Sequence, residues 1–126
     1  MKLYIGNAFS LSMLNRDVQS GHGSDPLFPP RIPRPVTDDV ALAIIDTYQR
    51  VGTIESCIGH PDTATLFSTL LGIELPVNRI SVKLDDASRV SLDDPPRLLV
   101  GQYTGPRLPE GCTTLPDGAS IEWWIV

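Results

Sequence analysis

The residues best suited to chemistry at an anion sit at a junction. Thr53 to Gly59 (TIESCIG) reads as a strand, and His60-Pro61-Asp62-Thr63 then opens a helix with proline at its first position. The first N–H groups of such a helix have no carbonyl to bond. Together with the partial positive charge of the helix end, they make the space beyond His60 a ready phosphate site. An imidazole there can reach an oxygen on that phosphate and give it a proton. The same helix end opposes an imidazolium, so the charge of a bound phosphate would balance the ring. The plainer role is a cap, and a lone histidine at a helix start leaves both readings open.

Other groups could serve the same chemistry. Arg107-Leu108-Pro109-Glu110-Gly111 sets a cation and a carboxylate three residues apart on a Pro/Gly loop, able to hold a phosphate and orient a histidine, or to form a surface turn. Arg79 suits a phosphate or a structural ion pair. Asn7 and Ser10, just past the first strand, suit a ribose or base edge, or turn hydrogen bonding. Arg16, Arg31 and Arg34 border a proline-rich stretch, as a basic lid or as a solvated linker, and His22 reads as exposed.

The elements that must position these groups follow from periodicity. Lys2 to Gly6 (KLYIG) reads as a first strand. Asn15 to Val36 carries Gly21, Gly23 and Pro26, Pro29, Pro30, Pro33 and Pro35, which excludes a continuous helix or central strand and predicts a long surface loop. Thr37 is a good N-cap, and Val40, Ala41, Ile44, Ile45 and Tyr48 recur at helical spacing until Gly52. The second helix runs from Pro61 to Gly72 with Ala64, Phe67, Leu70 and Leu71 as its apolar stripe. Arg79 to Leu84, Arg97 to Tyr103 and Ser120 to Val126 alternate as strands. Trp123 and Trp124 should face opposite sides of the last strand, one of them suited to a subunit contact. The expectation is one α/β (α+β) domain over residues 1–126, a mixed sheet of about five strands with two helices and a Pro/Gly-rich loop insertion at about 15–36.

Composition narrows the function. With 10 Lys and Arg against 15 Asp and Glu, the net charge is -5, which disfavours wholesale binding to duplex nucleic acid or an anionic membrane but allows a small anion in one basic pocket. No apolar run approaches the ~20 residues a membrane span needs, and Met1-Lys2-Leu3-Tyr4 lacks a secretory core, so the expected location is cytoplasmic. Cys57 and Cys112 form neither a CxxC pair nor a disulfide framework, and buried reduced thiols are expected. With His22 and His60 as the only histidines, no zinc spacing arises and no cofactor is expected.

Four blocks occur in order: Asn7-Ala8-Phe9-Ser10-Leu11-Ser12-Met13-Leu14, Ile58-Gly59-His60-Pro61-Asp62-Thr63-Ala64 running on to Leu70-Leu71-Gly72, Pro76-Val77-Asn78-Arg79, and Arg107-Leu108-Pro109-Glu110-Gly111. Together they resemble the viral anti-CRISPR ring nucleases and their bacterial relatives, which degrade the cyclic tetra-adenylate made by type III CRISPR systems. The resemblance covers most of the chain outside Asn15 to Val36 and Asp85 to Pro96. It implies a metal-independent phosphodiesterase acting as a homodimer, with His60 as general acid and Arg107 and Glu110 as its catalytic partners. The ligand contacts it implies are Asn7, Ser10, Arg79, Gln102 and Thr63. It also implies products that are linear diadenylates ending in a 2',3'-cyclic phosphate, and, if the chain is viral, action in the host cytoplasm. Its rival is a sponge that holds the cyclic nucleotide without cutting it.

Overall fold

The computed structural model describes residues 2–8, 32–80, 82, 84 and 96–126. Five strands and two helices follow one another along them: β1 (Lys2–Gly6), β2 (Arg34–Val36), α1 (Asp38–Val51), β3 (Thr53–Ser56), α2 (Pro61–Leu71), β4 (Arg97–Thr104) and β5 (Ser120–Ile125). The strands form one mixed sheet in the order β2-β5-β4-β1-β3. β1 runs parallel to both β3 and β4, whereas β5 is antiparallel to β4 and to β2. The carboxyl ends of β1, β3 and β4 therefore lie along one edge of the sheet, which is where the chain in an open α/β sheet usually builds its ligand site.

Alternation along the strands sends side chains to two faces. Leu3, Ile5, Leu99, Trp123 and Ile125 meet α1 through Ala41, Ile45 and Tyr48, and α2 through Ala64, Phe67 and Leu71. Tyr4, Leu98, Val100, Trp124 and Val126 face the other way, under Val82 and Leu84. Trp123 and Trp124 thus take opposite faces, as their adjacency requires. Gly101 lets the first core close: a Cβ there would lie 2.6 Å from both the Phe67 and Trp123 rings. The two aromatic rings pack tilted, 5.1 Å between centroids.

The helices begin where the sequence sets them. Thr37 Oγ1 accepts from Val40 N–H at 3.2 Å, and Asp38 and Asp39 occupy the favourable first turn. In α2, Pro61 holds the first position and Gly72 takes a left-handed conformation at the end.

The sheet corrects the sequence reading at several edges. Its fifth strand is Arg34–Val36, inside the stretch read as loop, and Arg79 to Leu84 is no strand at its described positions 79, 80, 82 and 84. β2 is a three-residue edge strand paired to β5, and an edge needs no ladder N–H from Pro35. Val82 and Leu84 are buried because they cover the second face, which gives strand-like alternation without strand pairing. β3 stops at Ser56 rather than Gly59, because Ile58 N–H turns back to Ser56 Oγ at 3.2 Å.

Both cysteines are free and half-buried, not fully buried as expected. Burial pushes the Cys57 thiol up to about 11, with the Glu55 charge adding to the shift. The thiolate is the nucleophile, so iodoacetamide at pH 8 should alkylate native Cys57 on the order of 100-fold more slowly than denatured Cys57. Timed labelling read by mass spectrometry checks this, and equal rates would contradict it.

Candidate active site

α2 starts at His60, whose backbone is extended (φ -128, ψ 128) and whose side chain makes no capping hydrogen bond. The imidazole is therefore not the helix cap. Ala64 N–H makes the first helical bond, to His60 O at 3.0 Å. Pro61 has no N–H, which leaves the amides of Asp62 and Thr63 without a carbonyl inside the helix.

The loop between β4 and β5 comes to the same place. Leu108 packs against the main core and so anchors the loop between Arg107 and Glu110. The Tyr103 hydroxyl donates to Pro106 O just before it. Cys112 N–H closes a turn on Pro109 O at 3.2 Å, with Gly111 at φ 71 in the position that favours glycine. Glu110 is the residue this turn presents.

His60, Asp62, Arg107 and Glu110 line one open groove of about 580 Å³, together with Pro61, Leu108 and Pro109. Three residues predicted from the sequence thus meet, although 47 positions separate His60 from Arg107. The sequence gives Asp62 no site signal of its own, because a carboxylate belongs in a helix first turn on electrostatic grounds alone, which hides any further role. The groove combines an exposed imidazole, a guanidinium, two carboxylates and the open end of a helix. Those groups can hold a phosphoryl oxygen, orient a donor and deliver a proton.

The remaining predicted residues are placed differently. Arg79 is exposed and its Nε donates to Gly59 O at 2.8 Å, next to His60. The Thr63 side chain is buried in the first turn of α2, so that residue can offer only its amide to the groove. Asn7 and Gln102 line a separate hollow of about 310 Å³ with Val100 and Trp124. The Trp124 Nε1–H is buried, with no hydrogen-bond partner among the described residues. Arg34 is exposed in β2. Ser10, Arg16, His22 and Arg31 lie outside the described residues. Among the described residues no group of His, Cys, Asp and Glu side chains could hold a metal ion, and no helix is long and apolar enough to cross a membrane.

A family model described as STIV B116-like matches residues 31–117, which include both sides of the groove. The chain belongs to the STIV B116-like family. Of solved structures, B116 of Sulfolobus turreted icosahedral virus is similar over 99% of this chain and 97% of its own, at 24% identity and a TM-score of 0.67. That likeness gives the STIV B116-like chain a shared fold, a single α+β domain with a mixed five-stranded sheet. No curated protein sequence matches it.

Proposed function

We propose that this protein is a metal-independent phosphodiesterase, a ring nuclease that binds cyclic tetra-adenylate and cuts it to linear diadenylates ending in a 2',3'-cyclic phosphate. Its effect is to switch off type III CRISPR signalling. The observation that carries the reading is the single groove in which His60, Arg107 and Glu110 meet beside the open end of α2. The four sequence blocks supply the substrate class, and a family typified by a virus protein fits a part in anti-defence.

RNA brings its own nucleophile. The 2'-oxygen attacks the adjoining phosphorus in line, the P–O5' bond breaks, and no water is consumed. The proton of the 2'-hydroxyl passes to solvent, and His60 gives its proton to the departing 5'-oxygen. Arg107 and the Asp62 and Thr63 amides stabilise charge on the phosphoryl oxygens, while Glu110 orients Arg107 or His60. Arg79 adds positive charge beside His60. A two-fold symmetric homodimer would offer one His60 to each of two equivalent phosphates in the ring.

Purified protein incubated with cyclic tetra-adenylate in EDTA should convert it to diadenylate with cyclic phosphate ends. A ring left intact by excess enzyme rejects the reading. Tight binding without turnover, unaltered by His60→Ala, would favour the sponge. Arg107→Ala should lower kcat about 10²–10³-fold, the usual loss when one donor to a developing oxyanion is removed. Arg107→Lys should recover only part of this, because an ammonium cannot reproduce the guanidinium fork. Steady-state kinetics of the two variants checks both expectations, and full activity of Arg107→Ala would contradict the assigned role.

A further inference from the structure

Among the described residues β3 is the outermost strand on its side of the sheet, and no strand lies beyond the turn from Ser56 to His60. Backbone groups in such a turn need other partners. β1 supplies one, with Cys57 N–H donating to Ile5 O at 2.9 Å, and the segment that follows α2 supplies others. Asn78 Nδ2 donates to Ser56 O at 2.8 Å, and the Asn78 main-chain N–H donates to Ile58 O at 2.9 Å. Ser56 Oγ donates to Pro76 O at 2.6 Å while accepting from Ile58 N–H at 3.2 Å. Arg79 Nε completes the row on Gly59 O at 2.8 Å. Ser56 is 4% exposed and Ile58 fully buried, so these bonds are shielded from water at the inner end of the row.

His60 follows directly. Its ring makes no capping bond, so the backbone leading into it sets where the imidazole is anchored. That backbone is held from Ser56 to Gly59 by the bonds just described. Asn78 is suited to this because its carboxamide keeps a donor at any ordinary pH, whereas an ionised carboxylate would face the Ser56 carbonyl with nothing to give.

We infer that Asn78 and Ser56 are positioning residues for His60, holding the turn that aims the imidazole into the groove. The kinetic consequence rests on the cleavage chemistry proposed above, but the positioning itself does not. A reacting group displaced by about 1 Å can cost about 10²-fold in rate, so loss of the clamp acts on kcat more than on substrate binding.

The test uses the full chain with Asn78→Ala, Asn78→Asp and Ser56→Ala. It reads kcat and KM on cyclic tetra-adenylate, together with the NMR signals of the His60 and His22 imidazoles, the latter assigned by His22→Gln. Asn78→Ala should lower kcat roughly 10–100-fold with KM within about threefold, and should move the His60 signals while those of His22 stay in place. The isosteric Asn78→Asp should do the same, which separates loss of the donor from loss of volume. A folded Asn78→Ala protein with kcat within twofold of the unaltered chain overturns the inference. So does a fall in kcat with unmoved His60 signals, since the effect would not run through His60. Should Asn78→Ala fail to fold, Ser56→Ala and Asn78→Asp decide on the same criteria. If the unaltered protein cuts no ring, the proposed function falls, and the NMR comparison alone still decides the positioning.

Discussion

Replacing His60 with alanine should lower cleavage of cyclic tetra-adenylate about 10²–10⁴-fold, the range a well-placed general acid contributes. Affinity for the ring should change by less than about threefold, since the proton transfer that is lost belongs to the transition state rather than to the bound substrate. The fold should survive. His60 is exposed, its ring caps nothing, and the first bond of α2 uses its main-chain carbonyl, which alanine also has. The melting temperature should therefore move by no more than about 2–3 °C, the scale of a surface substitution. Single-turnover rates with a parallel binding titration measure both halves. Activity within tenfold of the unaltered protein would remove His60 from the chemical step.

The largest effect on stability is expected at Phe67. Its side chain is fully buried, packs against Trp123 with centroids 5.1 Å apart, and lies over the Gly101 backbone, where no side chain stands to fill space. Phe67→Ala removes a ring from a close-packed interior and leaves a cavity, at a cost of about 3–5 kcal/mol. For a domain of this size that corresponds to a fall in melting temperature of roughly 10–20 °C. Urea unfolding followed by tryptophan fluorescence measures it, with Trp123 reporting from the same cluster. A loss below about 1 kcal/mol would mean that Phe67 and Trp123 do not form the centre of the core. Because α2 also carries His60 at its start, the variant should lose activity at temperatures where the unaltered chain keeps it.

Much of the fold was legible because local chemistry and tertiary packing agree. Thr37 before two aspartates, and apolar residues at helical spacing up to Tyr48, fix α1 with few alternatives; Pro61 and Gly72 bracket α2 in the same way. The misreadings fall where a partner far along the chain decides. Pro33 and Pro35 read as breakers, yet β5 accepts Arg34–Val36 as an edge strand because an edge tolerates a missing N–H. Val82 and Leu84 alternate like a strand because the second face of the sheet needs covering. Ser56 ends β3 early through a hydroxyl contact with Pro76, 20 residues away.

The site divides along the same line. Gly59-His60-Pro61 declares a strand-to-helix turn from its own residues. Nothing local to Arg107 and Glu110 says that they face His60, and only the ordered blocks of the family resemblance linked them. The groove then brought the three together. Asn78 gave no signal of its own, since the carbonyl its amide holds belongs to Ser56, 22 positions earlier. The Asn7 and Gln102 hollow opens apart from the groove, a separation that spacing along the chain could not reveal.

The central claim is that the groove aligns the substrate's own 2'-oxygen with its phosphorus while His60 protonates the oxygen that leaves. Comparing cyclic tetra-adenylate with its 2'-deoxy counterpart in the presence of EDTA tests this most directly. The ribose ring should be cut to diadenylates with 2',3'-cyclic phosphate ends, and the deoxy ring should remain whole even at excess enzyme. Cleavage of the deoxy ring, or ribose products that carry no cyclic phosphate at any time, would contradict the account.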